Sequence, residues 1–303
     1  MTSENGESAP EAGTFALLVP IIRELHATTL LEIGDALVAG AQGGEGMAVG
    51  LVEVPHGDRR GVTRKMEQRR RELLRWIAQL DPPMPGPRQG LGISTRVSHD
   101  LAVGIREAAY ESGSNLVLME WLGPGSRRPK ALNQVLDDIS TDPPADLVLV
   151  RPAPQGGQLR DTGRRVVAPV RGGPNARLAM FVARSLADLT GGGLTLLHVH
   201  EPGMDPVQRA RQREALEELA EGAGQRVCIL ERMSNRPAQA ILEEVDERDV
   251  IVFGARAGGE PSPALVRTEI ARTVGRMPGT VLMVRSLISL QPLPGVDGMS
   301  SYD

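Results

Sequence analysis

The sequence predicts an α/β protein built as two tandem copies of one Rossmann-like, doubly wound unit, each a five-stranded parallel sheet with helices on both faces. Three observations predict it. Nearly continuous aliphatic runs alternate with amphipathic helical stretches along the chain, as expected of strands buried on both faces in βαβ units. The same ordered set of runs occurs twice, at an offset of roughly 135 to 150 residues. A length of 303 residues also exceeds what one hydrophobic core usually organises, which favours two units of about 150.

Each element can be justified in order. Residues 15–21 (FALLVPI) and 166–170 (VVAPV) read as buried first strands, with Pro20 and Pro169 at their ends. Helical spacing follows over 28–41 and 174–189. Second strands at 47–54 (MAVGLVEV) and 194–200 (LTLLHVH) run into Pro55 and Pro202, which stop them. Charged helices at 63–80 and 205–223 place Glu and Arg outward. Third strands at 93–97 and 226–230 lead to helices at 100–112 and 237–246.

Fourth strands at 116–121 (LVLMEW) and 250–255 (VIVFGA) each open into a Gly-rich loop. Helices at 130–139 and 262–274 then lead to last strands at 147–150 (LVLV) and 280–284 (TVLMV), each followed by an arginine, Arg151 or Arg285. The expected division is a first domain at 14–152, a Pro- and Gly-rich linker at 153–163, a second domain at 164–286 and a flexible tail at 287–303. An insertion over 81–92 lengthens the first copy.

Composition excludes several function classes. Aromatic residues make up only 2%, so the cores must be aliphatic. A net charge of -4 gives no electrostatic footprint for nucleic acid or an anionic membrane. The single cysteine, Cys228, rules out an internal disulfide and fits a reducing compartment; it reads as a small core residue. Residues 1–13 lack a basic segment followed by an apolar one, and no run approaches the roughly 20 apolar residues of a membrane span. A cytoplasmic protein without membrane insertion is the expectation.

First strands of the form VVxPV and last strands of the form VLxVR, repeated in order, resemble the universal stress protein family over residues 14–286. The most specific stretch is 166–179 (VVAPVRGGPNARLA), which is similar to the opening of such domains, including those fused behind amino-acid permeases and cation/chloride transporters. The resemblance implies strand order 3-2-1-4-5 and a ligand crevice at the carboxyl ends of the first and fourth strands. It implies that many members bind ATP or AMP there. It also implies that the two last strands meet edge to edge, making the chain an internal pseudo-dimer, with a homodimer as a further assembly.

In the second copy the residues matching that crevice are Pro169, Val170, Arg171, Gly172 and Gly173 after the first strand, Val199 on the second, and Gly254, Arg256, Gly258, Gly259 and Thr268 around the fourth. Bare glycine amides leading into a helix N-terminus suit an anion. ATP-binding members carry G-x-x-G and, about nine residues on, G-[ST]. Here the first spacing is longer by one and Thr268 lacks its glycine. The Asp that such members carry after the first strand is replaced by Ile22 and Arg171. The plainer reading of Gly172 and Gly173 is a strand-to-helix turn. Pro124 in the first copy's loop removes an amide donor, so the first site is expected to be dead.

Catalysis is not expected. There is no G-x-S-x-G elbow, HExxH helix or Walker A motif, and the Glu pairs at 217–218 and 243–244 suit a solvated surface. His198 and His200 share one strand face but have no evident third metal ligand, so a structural role is favoured over a metal one. Trp121 stands where it could fill the first crevice. Two functions remain: a stress-type regulatory protein binding ATP, AMP or another small anion in its second copy, or a ligand-free module acting on a transporter or other protein partner.

Overall fold

A computed structural model describes residues 15–23, 25–53, 91–121, 130–153, 158–170, 175–221, 227–254 and 269–287, with helical residues at 64, 67, 68, 71, 72 and 75. The strands are β1 (Ala16–Ile21), β2 (Glu45–Glu53), β3 (Leu91–Ser98), β4 (Leu116–Glu120) and β5 (Asp146–Arg151), then β6 (Val166–Pro169), β7 (Leu194–His200), β8 (Val227–Met233), β9 (Val250–Gly254) and β10 (Thr280–Arg285). Between them lie α1 (Ala27–Gly40), α2 (Leu101–Glu111), α3 (Lys130–Thr141), α4 (Ala176–Thr190), α5 (Pro206–Glu221), α6 (Pro237–Glu244) and α7 (Glu269–Arg276).

All ten strands form one sheet in the order β3-β2-β1-β4-β5-β10-β9-β6-β7-β8. Every described pairing is parallel except the central one, where β5 and β10 run antiparallel from Val281–Arg151 to Arg285–Leu147. The outer edges are β3 and β8. The two last strands meet edge to edge as expected, and the two five-stranded halves continue into one another through this seam.

The core follows from that continuity. Strand residues alternate between faces, so one apolar layer joins Leu17, Val19, Val166 and Val284 to α1 and α4, and the other joins Leu18, Val117, Val167 and Val281 to α2, α3 and the ends of α6 and α7. Each layer contains residues of both halves. The division expected from length, one core per copy, is replaced by one core per face.

Local signals account for the helices. Asp100 accepts a hydrogen bond from the Val103 amide at 3.0 Å and caps α2. Gly191, at φ 67°, ends α4 in the left-handed conformation that favours glycine. α1 is buried almost all round because it lies against the sheet and also against α4. Phe15 and Phe181 stand 5.4 Å apart between the halves, and Gly40 leaves just enough room for Ser185. In the charged stretch 63–80, Glu67 and Arg71 pair across one turn on the solvent side.

One sequence reading changes. Cys228 is exposed, not a core residue, because β8 is an outer strand whose faces are only partly covered. The described residues 158–163 of the linker are anchored: Leu159 is buried and its amide donates to Glu32 Oε2 of α1 at 2.7 Å, while the amides of Asp161 and Gly163 bond the α4 carbonyls of Leu189 and Thr190. Beyond Leu287 the tail lies outside the described residues.

Burial raises the Glu32 carboxyl above its ordinary range, against the lowering effects of the Leu159 amide and the Arg160 and Arg164 charges. A carboxyl whose folded value is raised favours folding at low pH, and that advantage is lost as pH rises through the window between unfolded and folded values. Glu32→Gln keeps an acceptor for Leu159 without the buried charge. The melting temperature of Glu32→Gln relative to wild type is therefore expected to rise between pH 4 and pH 8; a flat difference would refute the assignment.

Candidate functional site

The sheet has two points where neighbouring strands leave in opposite directions, at β1/β4 and at β6/β9, the places where open α/β sheets hold ligands. β1 pairs β4 through Leu17–Leu116 and Leu18–Val117, and β6 pairs β9 through Val166–Val250 and Val167–Ile251. Superposing these registers and counting along the strands puts Asn175 on His26 and Gly254 on Glu120. The two crevices can thus be compared residue by residue.

In the first crevice His26 occupies the N-cap of α1, but its side chain makes no capping bond. Its Nδ1 meets Glu120 Oε1 at the end of β4, 2.5 Å away, with both side chains largely shielded. A carboxylate at a helix N-terminus is favourably placed against the helix dipole. The pair spans the opening between β1 and β4. Pro20, Ile22, Arg23, Met119 and Val135 line the space beside it, which holds about one water. Trp121 is wholly buried with the α2 and α3 layer, its indole N–H has no hydrogen-bond partner among the described residues, and that space is lined without it.

The second crevice is built from smaller parts. Asn175 is buried and accepts the Ser286 amide on Oδ1 at 2.6 Å. Gly254 faces it so closely that a Cβ there would lie 3.3 Å from the Asn175 Cβ. Pro169 ends β6, and the Val170 carbonyl takes a hydrogen bond from His198 Nδ1 at 2.7 Å. Val199 pairs with Arg232 of β8, and its side chain points to the face opposite His198 and His200. Arg171, Gly172, Gly173, Arg256, Gly258, Gly259 and Thr268 lie outside the described residues.

Sequence reading missed His26, Glu120 and Asn175. Their signal was the repeat itself, since both N-cap positions fall at the same distance from the first-strand prolines, Pro20 and Pro169. It also missed that His198 and His200 share Gln212 of α5, at 3.2 Å from each ring. Among the described residues no group of three or more His, Cys, Asp or Glu is arranged for a metal.

A universal stress protein from Archaeoglobus fulgidus superposes with a TM-score of 0.58 over 89% of this chain and 96% of its own, at 18% identity. The chain has the universal stress protein fold. The cytoplasmic domain of a prokaryotic cation chloride cotransporter shares it, with a TM-score of 0.57 at 15% identity over 89% of this chain and 95% of that one. So does a putative universal stress protein from Pseudomonas aeruginosa, at 0.53 and 18% over 91% and 94%. The sequence matches no protein-family model and no curated protein. Among the described residues no helix is long and apolar enough to cross a membrane. The two crevices of this chain are unequal, with Glu120 in the first at the position of Gly254 in the second.

Proposed function

We propose that this chain is a cytoplasmic regulatory protein of the universal stress type, with no catalytic step, whose first copy is closed and whose second copy receives an adenine nucleotide, ATP or AMP, or another small anion. One observation carries the reading: Gly254 stands where the first copy has Glu120. A carboxylate at that point repels a phosphate, and a glycine leaves the backbone bare of any side chain. The Gly-rich segments at 172–173 and 254–259 add the amides such a ligand needs.

Calorimetric titration of the whole chain with ATP, AMP and inorganic phosphate, with and without magnesium, is expected to give saturable heat. Gly254→Glu, which installs the first copy's carboxylate, should weaken it by about tenfold or more, the effect of roughly 1.4 kcal/mol. Glu120→Gln should leave it unchanged. Absence of heat and of thermal stabilisation at about millimolar ligand would overturn the ligand.

A second reading is favoured by the likeness to the cotransporter's cytoplasmic domain and by the Asn175 side chain already bonded to Ser286. In it the chain is a ligand-free module acting through its surfaces on a transporter or another protein partner.

A further inference from the structure

α5 holds sixteen residues in helix with only Leu216 buried. Its charges are segregated, with Arg209, Arg211 and Arg213 in the first half and Glu214, Glu217, Glu218 and Glu221 in the second. A helix on its own favours the reverse order, acids at the N-terminus and bases at the C-terminus. The order found here suits a second helix lying antiparallel to it, so that each basic half meets an acidic one.

One stripe of α5 is placed for such a partner. Arg213 reaches Glu231 Oε2 of β8 at 3.2 Å, and Arg209 reaches the Met233 sulfur at 3.8 Å, so this side of the helix overlooks β8. Spacings of three, four and seven put Ala210, Glu217, Ala220 and Glu221 on the same side. When the helix is laid antiparallel on a second copy about Ala215, Arg209 meets the partner's Glu221 and Arg213 meets the partner's Glu217. Ala210 then meets the partner's Ala220, and small side chains keep the two axes close.

β8 lies at the outer edge of the sheet, where an unpaired strand is a template for another. The same two contacts fix its height against the helix. From Arg213 to Arg209 is about 6 Å of helix, and from Glu231 to Met233 is about 6.6 Å of strand. α5 and β8 therefore run antiparallel, with Ala215 level with Leu230. Leu230 is the middle residue of β8 (Val227–Met233). A single twofold axis through both points pairs the helix stripe with itself and β8 with itself, Leu230 opposite the partner's Leu230. Met233, 61% exposed, then lies opposite the partner's Val227. At the other outer edge the described helical residues Arg64, Glu67, Arg71, Glu72 and Arg75 alternate in sign, so no such order exists there.

We propose that α5 and β8 form a self-complementary surface through which two copies of this chain pair, continuing the sheet from one molecule into the next. The surface is distinct from the β5–β10 seam and stands independently of any ligand in the crevice.

Sedimentation of the whole chain tests it. The wild type is expected to be dimeric at about 0.1 mM, roughly a hundredfold above a micromolar dissociation constant. The acidic variant Arg209→Glu/Arg213→Glu and the basic variant Glu217→Arg/Glu221→Arg should each raise the dissociation constant at least about tenfold, since like charges then face each other. An equimolar mixture of the two should restore the dimer. The register has its own check. Leu230→Cys combined with Cys228→Ser should form an intersubunit disulfide on mild oxidation, whereas the native Cys228 stands four residues, about 13 Å, from its copy and should not. A monomeric wild type, a dimer indifferent to both reversals, no recovery on mixing the folded variants, or crosslinking through Cys228 in place of position 230 would each overturn the proposal.

Discussion

Gly279→Ala is expected to cost on the order of 3 kcal/mol, lowering the melting temperature by about 10 °C. A Cβ at this position would overlap the Asp249 carbonyl oxygen and come within 3.0 Å of that of Asp246. Both are backbone atoms, and the Asp249 oxygen is already the acceptor for the Thr280 amide at the start of β10. The turn could yield only by giving up that bond. Gly92→Ala is the control, since a Cβ there meets nothing closer than the Gly46 oxygen at 3.7 Å, and its change should stay within about 0.5 kcal/mol. Thermal melts of the two variants decide the matter; similar losses would mean that the turn before β10 relaxes freely.

Arg151→Met is expected to cost about 2 to 3 kcal/mol. The Arg151 guanidinium is buried and donates to the carbonyls of Met277 and Gly279, both at 2.7 Å, beyond the end of α7. Hydrogen bonds from a charged donor are worth about 1.5 to 3 kcal/mol each, and methionine would leave both oxygens unpaired. Against this, burial pulls the Arg151 pKa down from its ordinary value, and removing a buried cation recovers part of that desolvation. The carbonyls win because nothing else reaches them among the described contacts. Its counterpart Arg285 donates to Ser140 in the last turn of α3 at 2.6 Å from a more accessible position. Arg285→Met should therefore cost about 1 kcal/mol. Equal losses in denaturant melts would refute this ordering.

These two arginines show what was readable in the sequence. That each last strand ends in arginine was plain, and so were the runs that became strands, because strands buried on both faces must be aliphatic from end to end. Where each arginine reaches was not plain. It depends on the antiparallel β5–β10 register, which brings Arg151 beside Val281 and Arg285 beside Leu147, and no local pattern encodes that. The same holds for His26 and Glu120, far apart in sequence and joined only by the β1–β4 pairing. Cys228 was misjudged because apolar character was taken for burial without knowing that its strand lies at an edge. Glycine turns pointed to a crevice at Gly172, Gly173 and Gly254, but the His26–Glu120 pair at the first crevice was visible only by laying one copy on the other.

The seam between β5 and β10 has the form of a twofold interface, yet both of its sides belong to one polypeptide. In a symmetric pair of identical subunits every substitution appears twice, once in each partner. A histidine and glutamate that shut one crevice would then shut both. Joining the copies covalently removes that constraint, and the high effective concentration of tethered halves lets the seam persist while its two ends diverge. One end could take on a histidine and a glutamate while the other kept Asn175 and Gly254, a difference that a homodimer of a single-copy chain cannot encode.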